Sequence, residues 1–484
     1  MTADAKAERP TGPEGAAPPA RWRELLAPAL ASRAGLVMLG VWLNAADAMV
    51  TATIMPSVAR ELGGYAWFAW AVAGYLLGSI LAGASAGRIS ERLGLRPAMV
   101  LAAGLYAGGC ALSAAAPTIG MFLGGRLLQG IGAGWIVGFC YVAIGVVFPE
   151  RLWARLFGAT AGVWGVASLL GPLVGGVFAG AHLWRWAFWM FAAQGLIFAM
   201  ASLRLLRPPA AGADSRAAGR PLAWRTLSVL ALAILAIAAA DVTHAGRAAA
   251  GLLGAGLALL ALAGAVNARP SEGLMPRQAA RPATVAGAGY AMIVAMSAAS
   301  AAFGVYGAAI LQVEYAVTPL TAGYVVAVDA LGWTLAALFV SGQPDRRHGA
   351  WILAGASAIL AGVAALALAI GSGRIALIVA AAAVLGIGFG LSWSLATRRI
   401  LAALPDEDRA IGAAAVPTAQ LIGGAVGAAA AGAVANLLGL AHAFTPAHAA
   451  ALGPRLFAAF IPVAALGWLA ALRLARARPP REMR

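Results

Sequence analysis

The sequence predicts an all-α membrane protein with fourteen transmembrane helices, on three observations. The 484 residues are 62% hydrophobic and 11% charged, with mean hydropathy +0.84, whereas a soluble domain carries about 25% charge. Fourteen apolar runs fall at 34–57, 65–86, 98–116, 119–147, 157–180, 185–205, 224–241, 248–266, 284–312, 319–341, 350–371, 374–397, 410–438 and 455–475. Each approaches the ~20 residues that cross a ~30 Å hydrocarbon core. None alternates with a period of two, so helices rather than barrel strands are expected. Finally, with the N-terminus in the cytosol, inside segments hold 28 of the 34 basic residues. Arg60, Arg185, Arg247, Arg374 and Arg455 lie outside, and Arg126 lies within a span. That bias agrees with an even number of spans and with both termini in the cytosol.

Composition also narrows the function. The net charge of +16 sits in short loops between spans, so no nucleic-acid partner is expected. Lys6 is the only lysine, which argues against a phosphate-binding loop. Gly83-Ala-Ser85-Ala-Gly87 has the spacing of a nucleophile elbow but ends a spanning run with no strand before it. Cys110 and Cys140 fall inside apolar runs and read as packing. His442 and His448 share an outside loop without cysteine or a nearby acid, a weak metal site. We therefore expect no enzyme, metal or cofactor, and a multi-pass protein of a bacterial cytoplasmic membrane.

Residues 1–33 are polar and Pro-rich and read as an uncleaved cytosolic tail. Within them, Arg21 to Ala27 suit either an interfacial helix or disordered chain. Residues 34–207 form a first six-helix bundle. Residues 208–282 supply two polar linkers around a two-helix insert, to which structural support is assigned. Residues 283–475 form a second six-helix bundle, and 476–484 a cytosolic tail. Trp22, Trp67, Trp153, Trp184 and Trp224 lie near span ends and read as interface anchors.

Motifs sharpen this outline. The loop after the second span reads Gly87-Arg-Ile-Ser-Glu91-Arg92-Leu-Gly94-Leu-Arg96. Its glycines permit a tight turn and close helix approach, and its acid can cap a helix or pair with arginine. Gly342 to Gly349 is a degraded copy in the equivalent place of the second half. Asp47 stands nine residues before Pro56; Trp70 and Tyr75 follow in the second span. Arg126-Leu-Leu-Gln129-Gly130-Ile-Gly132 lies in the fourth, and Gly165 with Gly171-Pro172-Leu-Val-Gly175-Gly176 in the fifth. Trp184-Arg185-Trp186 and Phe188 open the sixth, and Gln312, Thr318-Pro319 and Gly323 flank the turn into 319–341. These elements resemble the signatures of the major facilitator superfamily, and within it the fourteen-span drug/proton antiporter group. Glu91 replaces the usual aspartate, and Trp189 and Met190 stand where asparagine and proline are common. The resemblance implies a major-facilitator fold around a central cavity. It also implies gating roles for Gly87, Glu91, Arg92, Gly94, Arg96, Gly171, Pro172, Gly175 and Gly176.

Three ionisable residues lie near mid-membrane. Asp47 is ~18 Å from the cytosolic end of its span and Arg126 ~20 Å from the cytosol. Asp329 lies about ten residues into 319–341. A mid-span charge costs ~2.5–3.5 kcal/mol on insertion scales. We expect Asp47 and Arg126 to pair facing the cavity, Asp329 to face them, and the carboxylates to carry protons because arginine stays charged. A purely structural ion pair is the competing reading. Tyr75, Gln129, Trp135, Trp164, Trp333, Trp393 and Gln420 are candidate cavity residues, where aromatics can stack on cations or flat apolar compounds. The expected function is proton-coupled efflux of small amphiphilic or drug-like compounds. The expected partners are membrane lipids, substrate and protons, with no obligate protein partner. Export of a lipid or endogenous metabolite is the alternative, and a non-transporting receptor a third.

Overall fold

The computed structural model describes residues 22–25, 27–206, 223–241, 246–269, 274–341, 343–439 and 445–477. Expectations for the tail 1–21, the linker 207–222, His244, Gly342, His442 and 478–484 lie outside the described residues. The first half comprises α1 (Trp22–Leu25), α2 (Pro28–Leu62), α3 (Trp70–Leu93), α4 (Leu95–Ala114), α5 (Ile119–Val147), α6 (Glu150–Gly180) and α7 (Trp184–Leu205). The insert is α8 (Trp224–Asp241) and α9 (Gly246–Asn267). The second half comprises α10 (Val285–Glu314), α11 (Pro319–Ser341), α12 (His348–Ala369), α13 (Ile375–Ala402), α14 (Asp406–Leu437), α15 (Pro446–Ala458) and α16 (Ile461–Arg476). Among the described residues thirteen helical stretches are long and apolar enough to cross a membrane. The 18-residue α8 makes the fourteenth, shorter but equally apolar.

Small residues set the packing. Cβ atoms at Gly130 and Gly134 of α5 would strike the backbone of Tyr75 and Ser79 on α3, and one at Gly132 would strike Tyr106 on α4. In the second half Gly386 of α13 lies against the backbone of Asp329, and Gly355 of α12 against Gly388. Glycine and alanine faces let spanning helices approach backbone to backbone, which is how helices associate where apolar burial offers no net drive.

The structure departs from the sequence reading at four points. The first span begins at Pro28, not 34, because Pro28 is well placed in a first helical turn, and it ends where Gly63 turns to φ +68°. The last span is longer than expected and broken. α15 precedes α16, and Pro462 at the start of α16 has no N–H to continue the ladder. Gly87 is not in a turn: α3 runs through it, and a Cβ there would meet open space. The turn is Gly94 alone, at φ +81° and ψ 152°. Trp184 is no interface anchor, being 1% exposed and packed edge-on against Phe122 and Phe188.

Candidate functional site

Asp47 sits in the middle of α2 with no exposed surface, and Arg126 on α5 is 2% exposed. Arg126 Nη1 donates to both carboxylate oxygens, at 2.9 Å to Oδ2 and 3.2 Å to Oδ1. Gln129 lies one turn along α5. Its Nε2 donates to Asp47 Oδ1 at 2.9 Å, and its Oε1 accepts from Arg126 Nη1 at 2.8 Å. Thr51, one turn along α2, adds an O–H bond to Asp47 at 3.3 Å. Arg126 Nε reaches the Ala71 carbonyl on α3 at 3.2 Å, and the guanidinium lies 4.3 Å from the centre of the Tyr75 ring. The Tyr75 hydroxyl donates to Asn44 at 2.8 Å. Helix spacing explains the cluster. Asn44, Asp47 and Thr51 share one face of α2, and Arg126 and Gln129 share one face of α5. Oδ1 of the acid accepts from three donors and Oδ2 from one, the partners a buried charge requires.

Two expectations change here. Tyr75 and Gln129 do not line an open cavity in this structure. They are 4% and 0% exposed and belong to the charge cluster. Asp329 does not join Asp47 and Arg126. It lies on α11 beside Gly386, and its Oδ1 is buried with no hydrogen-bond partner. The other candidates are dispersed. Trp135 donates to Ser85 on α3 at 2.8 Å. Trp333 stacks on Phe389 at 4.9 Å and meets Trp393 at 5.3 Å, joining α11 to α13. Trp164 is 40% exposed and Gln420 half-buried.

The fifth-span glycines divide into two groups. Gly158, Gly162 and Gly165 have open space where a Cβ would lie. Farther along α6, Gly171 abuts Met49 and Gly175 abuts Thr53 on α2, while Gly176 abuts Leu320 on α11. Gly323 of α11 returns the contact, against Thr53 and Pro172. Other bonds between the halves gather at this same end, away from the chain termini. Gln312 donates to the Thr53 carbonyl at 3.3 Å, Asn436 donates to the Ala66 carbonyl at 3.0 Å, and Phe68 stacks on Tyr306 at 5.4 Å. At the opposite end Glu91 and Arg92 are exposed, and Arg96 lies at the start of α4 beside an open groove of about 450 Å³.

The family model described as Major Facilitator Superfamily matches residues 37–311. This chain belongs to the Major Facilitator Superfamily. Members of this family are secondary transporters, not enzymes, and this chain is a multi-pass membrane transporter of that kind. A probable multidrug-efflux transporter of Mycobacterium tuberculosis is 31% identical over 433 residues, covering 86% of this chain and 89% of that one. An azole resistance protein of Saccharomyces cerevisiae is 32% identical over 152 residues, 31% of this chain and 25% of that one. Among solved structures, a D-xylose–proton symporter superposes with TM-score 0.64 at 17% identity, covering 93% of this chain and 98% of that one. A bacterial homologue of the lysosomal transporter Spinster gives 0.65 at 16%, covering 94% and 100%.

Four polar residues that hold this facilitator's charge cluster or the seam between its halves were not anticipated: Asn44, Thr51, Thr53 and Asn436. Asn44 and Thr51 carried a signal, standing three residues before and four after Asp47 in the same apolar run. Asn436 bridges the halves by its side chain and Thr53 by its backbone carbonyl, its own hydroxyl bonding to Met49 within α2, and nothing in their own runs names a partner across the seam.

Proposed function

We propose that this protein is a proton-coupled exporter of amphiphilic, drug-like compounds of the fourteen-span antiporter type, working by alternating access with both termini in the cytosol. The observation that carries the proposal is the Asp47–Arg126–Gln129 triad, a fully enclosed carboxylate whose cationic partner among the described residues, Arg126, is shared with a neutral amide. Protonating Asp47 removes its charge, and Gln129 remains as a partner for Arg126, which stays ionised. The acid can therefore give up its charge without leaving the arginine bare. Whether Asp47 holds a proton then depends on how far water and substrate reach α2 and α5, which is what alternating access changes. Asp329 is assigned as a second carboxylate of the cycle, in the other half.

With the termini in the cytosol, the closed end faces outward. Gly171, Pro172, Gly175 and Gly176 then form the outer gate. The motif residues Gly87, Glu91, Arg92, Gly94 and Arg96, at the α3–α4 junction, act at the inner one. Trp135, Trp164, Trp333, Trp393 and Gln420 are assigned to the substrate path, with Tyr75 and Gln129 reaching it through the charge cluster. The similarity to a relative described as a multidrug-efflux transporter over most of both chains supports this choice of cargo.

Proteoliposomes with an imposed pH gradient test the coupling, with ethidium as the probe. Asp47→Asn should lower gradient-driven ethidium movement at least tenfold, and Asp47→Glu should retain part of it. Unchanged movement in Asp47→Asn would remove this residue from the mechanism.

A further inference from the structure

The insert lies over one of the two lateral seams between the halves. α8 packs on α14 of the second half and, less extensively, on α3 of the first. Leu77 and Ile80 of α3, Leu230 and Ile234 of α8, Ala263 of α9 and Ala425 of α14 form a single buried apolar cluster. The middle of the α3–α14 seam is thus roofed by the insert.

Attachment is unequal. At the end of α9, Asn267 Oδ1 accepts from the N–H groups of Leu274 and Met275 at 2.8 and 2.9 Å, and its Nδ2 donates to the Met275 carbonyl at 3.2 Å. Met275 packs in turn against the cluster of Ala286, Tyr290 and Ile293 in the second half. Toward the first half the described hydrogen bond is Trp70 Nε1 to the Ala238 carbonyl, at 3.0 Å.

The opposite seam, α6–α11, has a different character. It is held at the closed end by Gly176 on Leu320 and Gly323 on Pro172. Farther from that end, Gly158, Gly162 and Gly165 meet open space, and Trp164 and Leu335 are exposed. The packing partners of the insert are α3 and α14, on the other side.

We infer that the insert is a lateral seal carried on the second half. It closes the α3–α14 seam to lipid throughout the cycle and leaves the α6–α11 seam as the side by which an amphiphile passes from the bilayer into the cleft. The sealing function stands on packing alone; the route of the cargo rests on the export reading above. When the halves rock, α8 stays with α14 and α3 slides beneath it, breaking the Trp70–Ala238 bond at the end of the contact. Apolar contact is non-directional and tolerates sliding, whereas a ladder of hydrogen bonds would not.

The test uses the full chain in phosphatidylcholine vesicles doped with a phosphatidylcholine bearing a diazirine in its acyl chain, irradiated with and without a pH gradient. Adducts mapped by mass spectrometry should fall on residues 158–165 and be at least tenfold fewer at Leu77, Ile80 and Ala425 under both conditions. Loosening the roof with Leu230→Ala and Ile234→Ala should raise labelling at Ile80 severalfold. Should the double variant fail to fold, Leu230→Ala alone serves the same comparison. Labelling of Ile80 in the intact protein as strong as at 158–165 would overturn the seal. The route is read separately. A bulky maleimide on Gly162→Cys should slow ethidium movement at least tenfold, while the same reagent on Leu257→Cys, an exposed position of α9, should leave it within twofold. Equal rates at both positions would overturn the route. Absence of ethidium movement in the unmodified protein would refute the export reading and leave the labelling result standing.

Discussion

Replacing Gly176 with alanine should shift this transporter out of the conformation described here. A Cβ at position 176 would lie 2.6 Å from Leu320 Cα and 2.7 Å from its Cβ. Carbon atoms at rest stand ~3.5–4.0 Å apart. The nearest obstacle is backbone, so rotamer adjustment cannot relieve it, and α6 and α11 must separate by about 1 Å. Overpacking of this kind costs ~1–3 kcal/mol. The cost falls only on the state in which the two helices touch, so the closed-end population should drop ~5–150-fold relative to the alternative. Gln312 reports the change, because its side chain bridges to Thr53 beside this contact. In a Gln312→Cys background, labelling by a membrane-impermeant maleimide should speed up by that factor when Gly176→Ala is added. Gly158→Ala is the control, since its Cβ would meet open space. Equal labelling rates with glycine and alanine at 176, or the same acceleration from position 158, would refute the reasoning.

Other variants probe the rest of the framework. Arg126→Leu strands the Asp47 carboxylate and should cost ~3–5 kcal/mol, read as a lowered thermal unfolding midpoint in detergent; adding Asp47→Leu should recover most of the loss. Gly94→Ala should destabilise by ~1–3 kcal/mol because φ +81° with ψ 152° suits glycine alone. Gly87→Ala, in an open helical position of the same motif, should be neutral or gain up to ~1 kcal/mol; the same melting assay compares the two. Trp184→Ala should cost ~3–5 kcal/mol, since it empties a buried site and leaves Glu61 without its 2.6 Å indole partner.

Much of this fold was legible because a bilayer leaves few options: a long apolar run must be a helix, and arginines between runs report its direction. The Asp47–Arg126 pair was legible for a related reason. Two opposite charges at one depth in hydrocarbon have few ways to be satisfied except by each other. Other features depended on information that local sequence does not carry. Asp329 was placed by sequence at the depth of the other two charges, yet depth says nothing of azimuth, and the structure gives its buried Oδ1 no hydrogen-bond partner. Gly87 and Gly94 look alike in the motif, but only backbone torsions separate a helical glycine from the one that makes the turn. Trp184 sits at a span end as an anchor would, and its burial follows from Phe122 and Phe188, which close over it from two helices.

The backbone-to-backbone seating of Gly130 and Gly132 against α3 and α4 has a mechanical consequence. Side chains that interdigitate can hop between rotamers and absorb displacement, whereas main chain against main chain leaves little slack. Each half should therefore behave as a stiff plank. A push delivered at one end of a half would arrive at the other nearly undiminished, much as a seesaw conveys weight from one seat to the other.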